Sequence, residues 1–560
     1  MPTSNQIAPG APGIAPRWTS SAKDGIGTAY HTSSRLWFTL SHGVVNEVYY
    51  PHVDTPNTRD LQFLITDGET FCHEERRDLD HLTEYPEKNV LFYRLTNSDR
   101  KGRYRIIKEI IGEPHSSVLL MHIRLEILDP KLRGKLRLFA LLAPHLKGTG
   151  QNNSARWHNT GGRKFFEAAR EDVHMVFGCT PDFTRRSVGY VGRSDGWQDL
   201  MDNFKMDWEF ERADEGNIAL TGEIDLSHGL EFIVAVAFGR SAQSASTQLL
   251  QALATPFAEQ REKYVSQWQR TRCENDLSAH TKDGAHMVRL SQCVLLAHED
   301  KTFPGAFVAS LSIPWGETKD DSDRGGYHLV WTRDMVQSAT ALLACGRTES
   351  PLRALIWLAC VQEADGSEPQ NSSITGKPYW KGIQLDEVAV PILLAWRLRR
   401  SLRRWSARRN LRTTERKNLR RTFSSLTRTG FRRTSKPGWS LIAANSCREN
   451  PGTMCASLPA SRNKPMERPI QTARPSRLPT AVASIPRGTL SAAIFSNWSG
   501  SECARLMIQR LLIPLRSLIK FLNTICRTAR AGVATITMAT DKKRTAALTT
   551  ERALAVRGRS

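Results

Sequence analysis

Hydrophobic residues between positions 25 and 239 fall in short runs that alternate with polar residues or are rich in β-branched side chains. Representative runs are R-L-W-F-T-L at 35–40, R-Y-R-I-I-K-E-I-I at 103–111 and E-F-I-V-A-V-A-F-G at 231–239. Turn residues, such as Asp67-Gly68 and N-T-G-G at 159–162, separate the runs. Many such strands in succession, without intervening helices, are typical of an antiparallel β-sandwich.

The hydrophobic period becomes helical at about Ser241. One broad face then carries Leu249, Leu250, Leu253, Phe257, Tyr264 and Trp268. The pattern predicts a linker helix at the end of the sandwich. Further helical stretches follow at 285–298, 334–345, 351–363 and 386–402, joined by loops rich in Gly, Pro, Asp and aromatic residues. Such loops on a helical scaffold are suited to building a cleft, which favours a helical barrel.

The composition changes abruptly near residue 400. Residues 401–560 hold 32 of the 78 Lys and Arg but 6 of the 56 Asp and Glu, which gives this segment a charge of +26 and the rest −4. The segment contains neither Tyr nor His, and it has 26 Arg against 6 Lys. A single soluble fold rarely changes its chemistry in this way. We therefore expect residues 401–560 to be an aberrant, disordered tail.

The charge distribution bears on partners and compartment. A pI of about 9.8 would ordinarily suggest nucleic acid or an anionic membrane as partner. Because the excess charge lies in the tail, we expect neither partner for the slightly acidic body. The first sixteen residues lack a basic start and a long apolar run, so a cytoplasmic protein is the default. The ten cysteines show no C-x-x-C spacing and are expected to be reduced rather than metal ligands.

Three segments between positions 331 and 389 combine residue types that suit a glycosidase. They are W-T-R-D at 331–334, D-G-S-E-P-Q-N at 365–371 and Y-W-K-G-I-Q-L-D-E-V-A at 379–389. Glycosidic cleavage needs a carboxylic acid at the leaving oxygen, a second carboxylate across the bond and groups that fix the sugar. Glu387 is the candidate acid, since its neighbours Trp380, Leu385 and Val388 could desolvate it and raise its pKa. The alternative is that Asp386 and Glu387 only favour a helix N-terminus through its dipole.

The remaining candidates are sugar-binding groups. Arg333 and Asp334 can donate to and accept from sugar hydroxyls, although alone they would read as a structural ion pair. Trp315, Trp331, Tyr379 and Trp380 have flat faces suited to sugar C–H groups, and Gln370 and Asn371 offer amide donors and acceptors. Any one of these six could instead support the core or a loop.

With these motifs in view, residues 20–400 resemble the prokaryotic glucoamylases and glucodextranases of glycoside hydrolase family 15, which are inverting exo-α-glucosidases. The resemblance also rests on motifs outside the candidate site: G-I-G-T-A-Y at 25–30, S-S-R-L-W-F-T-L-S-H-G at 33–43, N-E-V-Y-Y-P at 46–51, T-R-D-L at 58–61, S-D-G-W-Q-D-L at 194–200, A-S-L-S-I-P-W-G at 309–316 and H-L-V-W-T-R-D-M at 328–335. It implies a β-sandwich in front of a six-hairpin (α/α)6 barrel. Glu387 would then be the general acid, and Arg333 and Asp334 would hold the terminal glucose.

The resemblance also implies four segments. They are a flexible N-terminus at 1–20, the sandwich with its linker helix at 21–272, the first part of the barrel at 273–400 and the Arg-rich tail at 401–560. In the family the catalytic base follows the acid by roughly 200 residues, and the tail offers no carboxylate in a comparable context. A one-nucleotide frameshift near codon 400 would explain this. Back-translation of residues 536–548 in the shifted frame permits N-H-G-Y-G-Q-K-E-D-G-S-A, which resembles the segment before the base.

Several functions are consistent with these observations. The first is exo-acting, inverting release of glucose from α-glucans or maltooligosaccharides, impaired here because the base is missing. Others are a carbohydrate-binding remnant without turnover, a dextran- or trehalose-type glucosidase, a phosphorylase of related architecture, and nucleic-acid binding through the tail. No metal or organic cofactor is implied, and the sequence does not indicate an oligomeric state.

Overall fold

The architecture comes from a computed structural model, which describes residues 7–271, 275, 278–363, 366–380, 382 and 384–408, with side chains to residue 401. All of these residues belong to one compact unit, Met1–Glu449. The predicted tail lies outside the described residues, apart from the helical backbone that continues to Arg408. No described helix is long and apolar enough to cross a membrane.

Two large antiparallel sheets form the N-terminal part. The first has the strand order β1-β2-β3-β4-β10-β16-β14, with β5 also paired to β4. The second has the order β15-β11-β12-β13-β17-β9-β8-β7-β6. The strands of the first are β1 Gly25–Thr28, β2 Trp37–Ser41, β3 Val44–Tyr49, β4 Thr58–Thr66, β5 Cys72–Glu74, β10 Arg137–Pro144, β14 Arg186–Tyr190 and β16 Ile218–Glu223. Those of the second are β6 Leu79–Glu84, β7 Tyr93–Asp99, β8 Tyr104–Gly112, β9 Val118–Ile127, β11 Asn153–Thr160, β12 Arg163–Arg170, β13 Val173–Thr180, β15 Arg212–Gly216 and β17 Glu231–Gly239.

The burial pattern of each strand shows what covers it. Strand β7 alternates strictly between buried and half-buried residues, as expected when one face of a sheet meets solvent. Strands β4, β10 and β16 are buried along almost their whole length. The outer face of this first sheet is covered by a separate apolar cluster, in which Leu200 of a helix, α2, packs on Phe139 and Leu141. The predicted antiparallel sheet domain is therefore confirmed.

Eight helices complete the described fold. They are the single-turn α1 Glu75–Asp78, α2 Gly196–Asn203, α3 Ala242–Ala254, α4 Phe257–Gln269, α5 His286–Ala297, α6 Thr332–Ala344, α7 Glu349–Val361 and α8 Leu385–Arg408. The single linker helix expected after Ser241 is two helices, because Pro256 interrupts the run. The Tyr264 hydroxyl donates to the Leu91 carbonyl and the Trp268 indole N–H donates to the Thr28 carbonyl, so α4 is fixed to the sandwich.

The N-terminal segment differs from its prediction as a flexible end. Residues 8–20 lie against the sandwich, where Trp18 is buried and its ring meets that of His145 at a centroid distance of 4.8 Å. The amide of Asn217 donates to the Pro12 carbonyl, and the Asn217 side chain donates to the Ile14 carbonyl. The Pro- and Gly-rich composition suggested mobility. The segment is instead held by hydrogen bonds from Asn217 to its backbone carbonyls.

The helical part contacts the sandwich through a half-buried lysine, Lys301, and a buried tyrosine, Tyr49. The Lys301 ammonium donates to the Thr28 hydroxyl at 2.6 Å and to the carbonyls of Ala29 and Ser34 at 2.7 and 2.5 Å. Burial lowers the pKa of Lys301 to about 7. The Tyr49 hydroxyl donates to the Leu311 carbonyl at 2.6 Å. The four predicted helical stretches correspond to α5, α6, α7 and α8, while their closure into an (α/α)6 barrel stays a prediction.

Candidate active site

A small three-stranded sheet brings three of the predicted sugar-binding residues together. Its strands are β18 Val330–Trp331, β19 Asn371–Ser372 and β20 Pro378–Trp380. Trp331 lies opposite Asn371, and Asn371 lies opposite Trp380. Directly opposed residues share a face of a sheet. The register therefore gathers residues from three distant segments of the sequence into one row.

The aromatic side chains of this row form an exposed surface. The Trp331 and Trp380 rings meet edge to face at 5.5 Å, and Tyr379 lies 5.7 Å from Trp380. Tyr379 is 62% exposed and Trp380 is 46% exposed. The Trp331 indole N–H donates to the Gly326 carbonyl at 2.8 Å, which fixes the orientation of its ring. The exposed rings of Tyr379 and Trp380 and the half-buried, anchored ring of Trp331 suit stacking against a sugar.

The two predicted amides have different surroundings. Asn371 is fully buried, and its side-chain oxygen Oδ1 accepts from the Trp380 backbone N–H at 3.0 Å. Its Nδ2 has no hydrogen-bond partner among the described residues. Gln370 is half-buried, and a Cβ added at Gly382 would lie 2.8 Å from its Oε1. The Oδ1 of Asn371 therefore has a structural role, while its Nδ2 remains available to donate.

Two helix N-termini converge beside the aromatic row. Strand β18 leads directly into α6, which places Arg333 and Asp334 in its first turn, and Asp386 and Glu387 lie in the first turn of α8. Arg333 forms an ion pair with Asp386 and donates to the side-chain oxygen Oε1 of Gln384 at 3.2 Å. The hydrogen bond that Arg333 donates to Asp386 raises the pKa of Arg333. Arg333 thus pairs with an acid 53 positions away in the sequence, and Asp334, its predicted partner, is half-buried beside it.

Glu387 is a buried carboxyl at this junction. It has no accessible surface, and neither oxygen has a well-formed hydrogen bond within the described part of the chain. Burial, with the neighbouring charge of Asp386, raises the pKa of Glu387 to about 7, against the opposing charge of Arg333. Of its predicted apolar neighbours, Leu385 is 40% exposed and Trp380 is 46% exposed, and the side chain of Val388 lies outside the described residues. A carboxyl with a pKa near 7 can hold and release a proton at neutral pH.

Several residues of this region were not predicted from the sequence. Asp386 was treated only as a helix-dipole residue, although its position beside Glu387 signals a like-charge effect. Glu368 is buried, and burial followed by the charge of Glu363 raises its pKa to about 8. It lies in the D-G-S-E-P-Q-N segment, where a single Glu between Ser and Pro gave no sign of burial. Tyr327 is 49% exposed and follows Gly326, the acceptor for Trp331.

Trp315 lies on the other side of a glycine pair from the aromatic row. A Cβ added at Gly325 would lie 3.6 Å from the Trp315 indole nitrogen, and one added at Gly326 would lie 3.6 Å from both Trp331 and Trp380. Gly325 has a φ of +66°, which favours glycine. The two glycines therefore separate Trp315 from the Trp331–Trp380 pair by a bare stretch of backbone.

Comparisons with known proteins agree with this architecture. Residues 8–271 match the family described as glucodextranase, domain N, and residues 286–356 match glycosyl hydrolases family 15. A glucoamylase of Clostridium sp. (strain G0005) is 37% identical over 396 residues, which are 71% of this chain and 56% of that protein. The chain thus spans little more than half the length of this relative.

A solved structure extends the agreement to three dimensions. A bacterial glucoamylase crystallised in complex with acarbose superposes with a TM-score of 0.68 and 36% sequence identity, over 71% of this chain and 58% of that chain. The sequence and the structural comparison each cover 71% of this chain. In sequence and in fold, the chain is therefore similar to the glucoamylases of glycoside hydrolase family 15.

Proposed function

We propose that the site descends from an exo-acting α-glucosidase that releases glucose with inversion from the non-reducing ends of maltooligosaccharides. The observation that supports this most directly is the pairing of Arg333 with Asp386 beside the buried, proton-holding Glu387. In this proposal Glu387 gives its proton to the glycosidic oxygen as the bond to the anomeric carbon breaks. A second carboxylate takes a proton from the water that attacks the opposite face of the sugar.

Substrate positioning would fall to the groups around Glu387. Arg333 and Asp334 would bind hydroxyls of the terminal glucose and close the end of the site, which accounts for exo action. The rings of Trp331, Tyr379 and Trp380 would stack on sugar C–H faces, and the free Nδ2 of Asn371 would donate to a hydroxyl. The relative solved with acarbose supports an oligosaccharide as ligand.

We further propose that this chain binds such sugars but turns them over poorly, because its base was lost through the frameshift predicted from residues 401–560. The experiment is to measure glucose release from maltotetraose by the full chain, together with acarbose binding by calorimetry. We expect binding that is lost in Arg333→Ala and no release above that of Glu387→Gln. Release well above that of Glu387→Gln would contradict the missing base. An absence of binding would remove the carbohydrate-binding function as well.

The gene offers an independent test of the frameshift. Resequencing from codon 380 through the next stop codon in each frame shows whether a single base separates this sequence from one that encodes the family's base region. An uninterrupted frame without such a region would contradict the frameshift.

A further inference from the structure

One face of the Trp315 ring is covered by a cation from its own loop. The Lys319 Nζ lies 3.8 Å from the centroid of the ring, and it forms an ion pair at 3.0 Å with Asp323. The Gly325 backbone N–H donates to the same Asp323 carboxylate at 2.8 Å. These contacts, with a contribution from the Trp315 side chain, lower the pKa of Asp323. A sugar that stacked on this face would have to displace Lys319.

The loop that carries Lys319 is itself anchored elsewhere. Glu317 forms an ion pair with Arg76, Asp321 accepts from the Gly150 N–H at 2.5 Å, and Arg324 donates to the Asp54 carbonyl at 3.4 Å. All three partners belong to the sandwich. Lys319 and Asp323, by contrast, are each 48% exposed and face Trp315. The side chain of Lys319 can therefore swing away from the ring without movement of the loop backbone.

The position of Trp315 makes this cover relevant to substrate length. The Gly325–Gly326 backbone separates Trp315 from Trp331 and Trp380, with each indole within 3.6 Å of a glycine Cβ position. If Trp331 and Trp380 contact the first sugar units, Trp315 can be reached only by a longer chain that passes over the glycines. A disaccharide held at Arg333 would not displace Lys319.

We propose that Lys319, held by Asp323, is a displaceable cap on Trp315 that weakens the binding of maltooligosaccharides long enough to reach this ring. The inference rests on the proposed function, since it assumes that the neighbouring site binds the end of the sugar. The cap is weak enough to be displaced because both of its contacts are exposed. An exposed cation–π contact corresponds to about a two- to fivefold change in affinity.

The test is Lys319→Ala in the full chain, with calorimetry of maltose and maltopentaose. We expect maltopentaose to bind about two- to fivefold more tightly and maltose to bind unchanged. Lys319→Arg keeps a cation on the ring and should bind both sugars as the unsubstituted chain does. Lys377→Ala, which removes an exposed lysine from the same part of the molecule, is the matched control and should change neither affinity.

Unchanged or weaker maltopentaose binding by Lys319→Ala would overturn the proposal, as would an equal gain in Lys319→Arg or Lys377→Ala. A readout without sugar separates this inference from the proposed function. In protein labelled with 5-fluorotryptophan, the Trp315 fluorine resonance, assigned through Trp315→Phe, should shift in Lys319→Ala and not in Lys377→Ala. The absence of a shift shows that there is no cap. If the resonance shifts and maltose binds, but no variant binds maltopentaose, the role in substrate length is refuted. If neither sugar binds to any variant, the proposed function is refuted.

Discussion

Two buried carboxyl groups, Glu75 in the sandwich and Glu387 in the helical part, have different surroundings. Glu75 in the sandwich forms an ion pair with Lys108 at 2.6 Å, and both side chains are at most 1% exposed. Asn97 and the Phe63 N–H also donate to Glu75, and Lys108 donates to the Gly43 carbonyl. Glu387 in the helical part has no comparable partner in the region described. Full pairing is the mark of a structural charge, whereas an unpaired buried acid is typical of a functional site.

The exposure of large apolar side chains also differs between the sandwich and the helical part. Those of the sandwich are mostly buried in one continuous cluster that extends into the helices. In the helical part several remain open to solvent: Met287 and Ile392 are 59% and 50% exposed, and Trp396 is 39% exposed. The sandwich is therefore expected to tolerate little change in its interior, while the helical part should tolerate polar residues on its exposed apolar faces.

The largest effect is expected from Glu75→Ala. The substitution leaves the Lys108 ammonium buried without its carboxylate, which should lower the free energy of unfolding by about 3–5 kcal/mol. Urea denaturation followed by circular dichroism measures the change. Arg100→Ala is the control, because its ion pair with Asp80 is exposed on both sides and should contribute less than about 1 kcal/mol. Similar losses in the two variants would show that burial does not distinguish the pairs.

A pH-dependent effect is expected from Glu387→Gln. The pKa of Glu387 is about 7 in the folded protein and about 4.3 in an unfolded chain. The native state therefore holds this proton more tightly than the unfolded state does, and the resulting contribution to stability is fully present below the lower pKa. The contribution is lost progressively as the pH rises from the lower value to the higher one, and the loss is complete above the folded pKa of about 7. Glu387→Gln should therefore match the parent chain near pH 4 and be more stable by up to about 3 kcal/mol at pH 8.

Thermal unfolding of both chains between pH 4 and pH 8 measures this difference. Glu349→Gln, at an exposed first-turn position of α7, should show no such dependence. A difference between Glu387→Gln and the parent that stays constant with pH would mean that the carboxyl is ionised throughout and is not a proton donor at neutral pH.

A smaller effect is expected from Arg333→Lys. Lysine keeps the charge but loses the planar guanidinium, whose Nη1 donates to both Asp386 and Gln384. Losing one charged hydrogen bond corresponds to about 1.5–3 kcal/mol, or roughly ten- to hundredfold weaker maltose binding. Calorimetry measures the affinity, with Arg397→Lys on the exposed face of α8 as the control. Equal affinity for Arg333→Lys and the parent would exclude a role for the planar guanidinium in binding.

The smallest effect on stability is expected from Ile392→Lys. The residue is half exposed on α8, so the substitution should change the free energy of unfolding by less than about 0.5 kcal/mol. It should reduce self-association measured by sedimentation velocity, because it interrupts an apolar surface. Val234→Lys, at a fully buried position of β17, should prevent folding of the sandwich. A loss of stability in Ile392→Lys of several kcal/mol would mean that this face of α8 is covered.

Local patterns were sufficient to predict the sandwich and the four helices, because alternation and helical period are properties of neighbouring residues. The candidate residues Trp331, Asn371 and Trp380 were also visible in the sequence. Their alignment was not, since it depends on the register of three short strands separated by loops. The pairing of Arg333 with Asp386 was missed for the same reason: the adjacent Asp334 suggested a local partner, and tertiary packing supplied a distant one.

The prediction of a flexible N-terminal segment failed for a different reason. Composition alone suggested a flexible end, but the backbone acceptors of Pro12 and Ile14 meet the donors of Asn217. A donor that lies some two hundred positions away cannot be recognised from the segment itself. The charge of Lys301 was equally unremarkable in the sequence, and its burial depends on carbonyl groups of the first sandwich loop.

The contact made by Lys301 bears on hybrids that combine the sandwich of one protein with the helical part of another. Its ammonium is held by Thr28, Ala29 and Ser34 across the boundary between sandwich and helices. A chimera that takes the sandwich of one relative and the helices of another inherits this lysine from one parent and its acceptors from the other. Because two of the three acceptors are backbone carbonyls, such a hybrid keeps the contact when the backbone of residues 28–34 and the lysine at 301 have the same relative positions as in this chain.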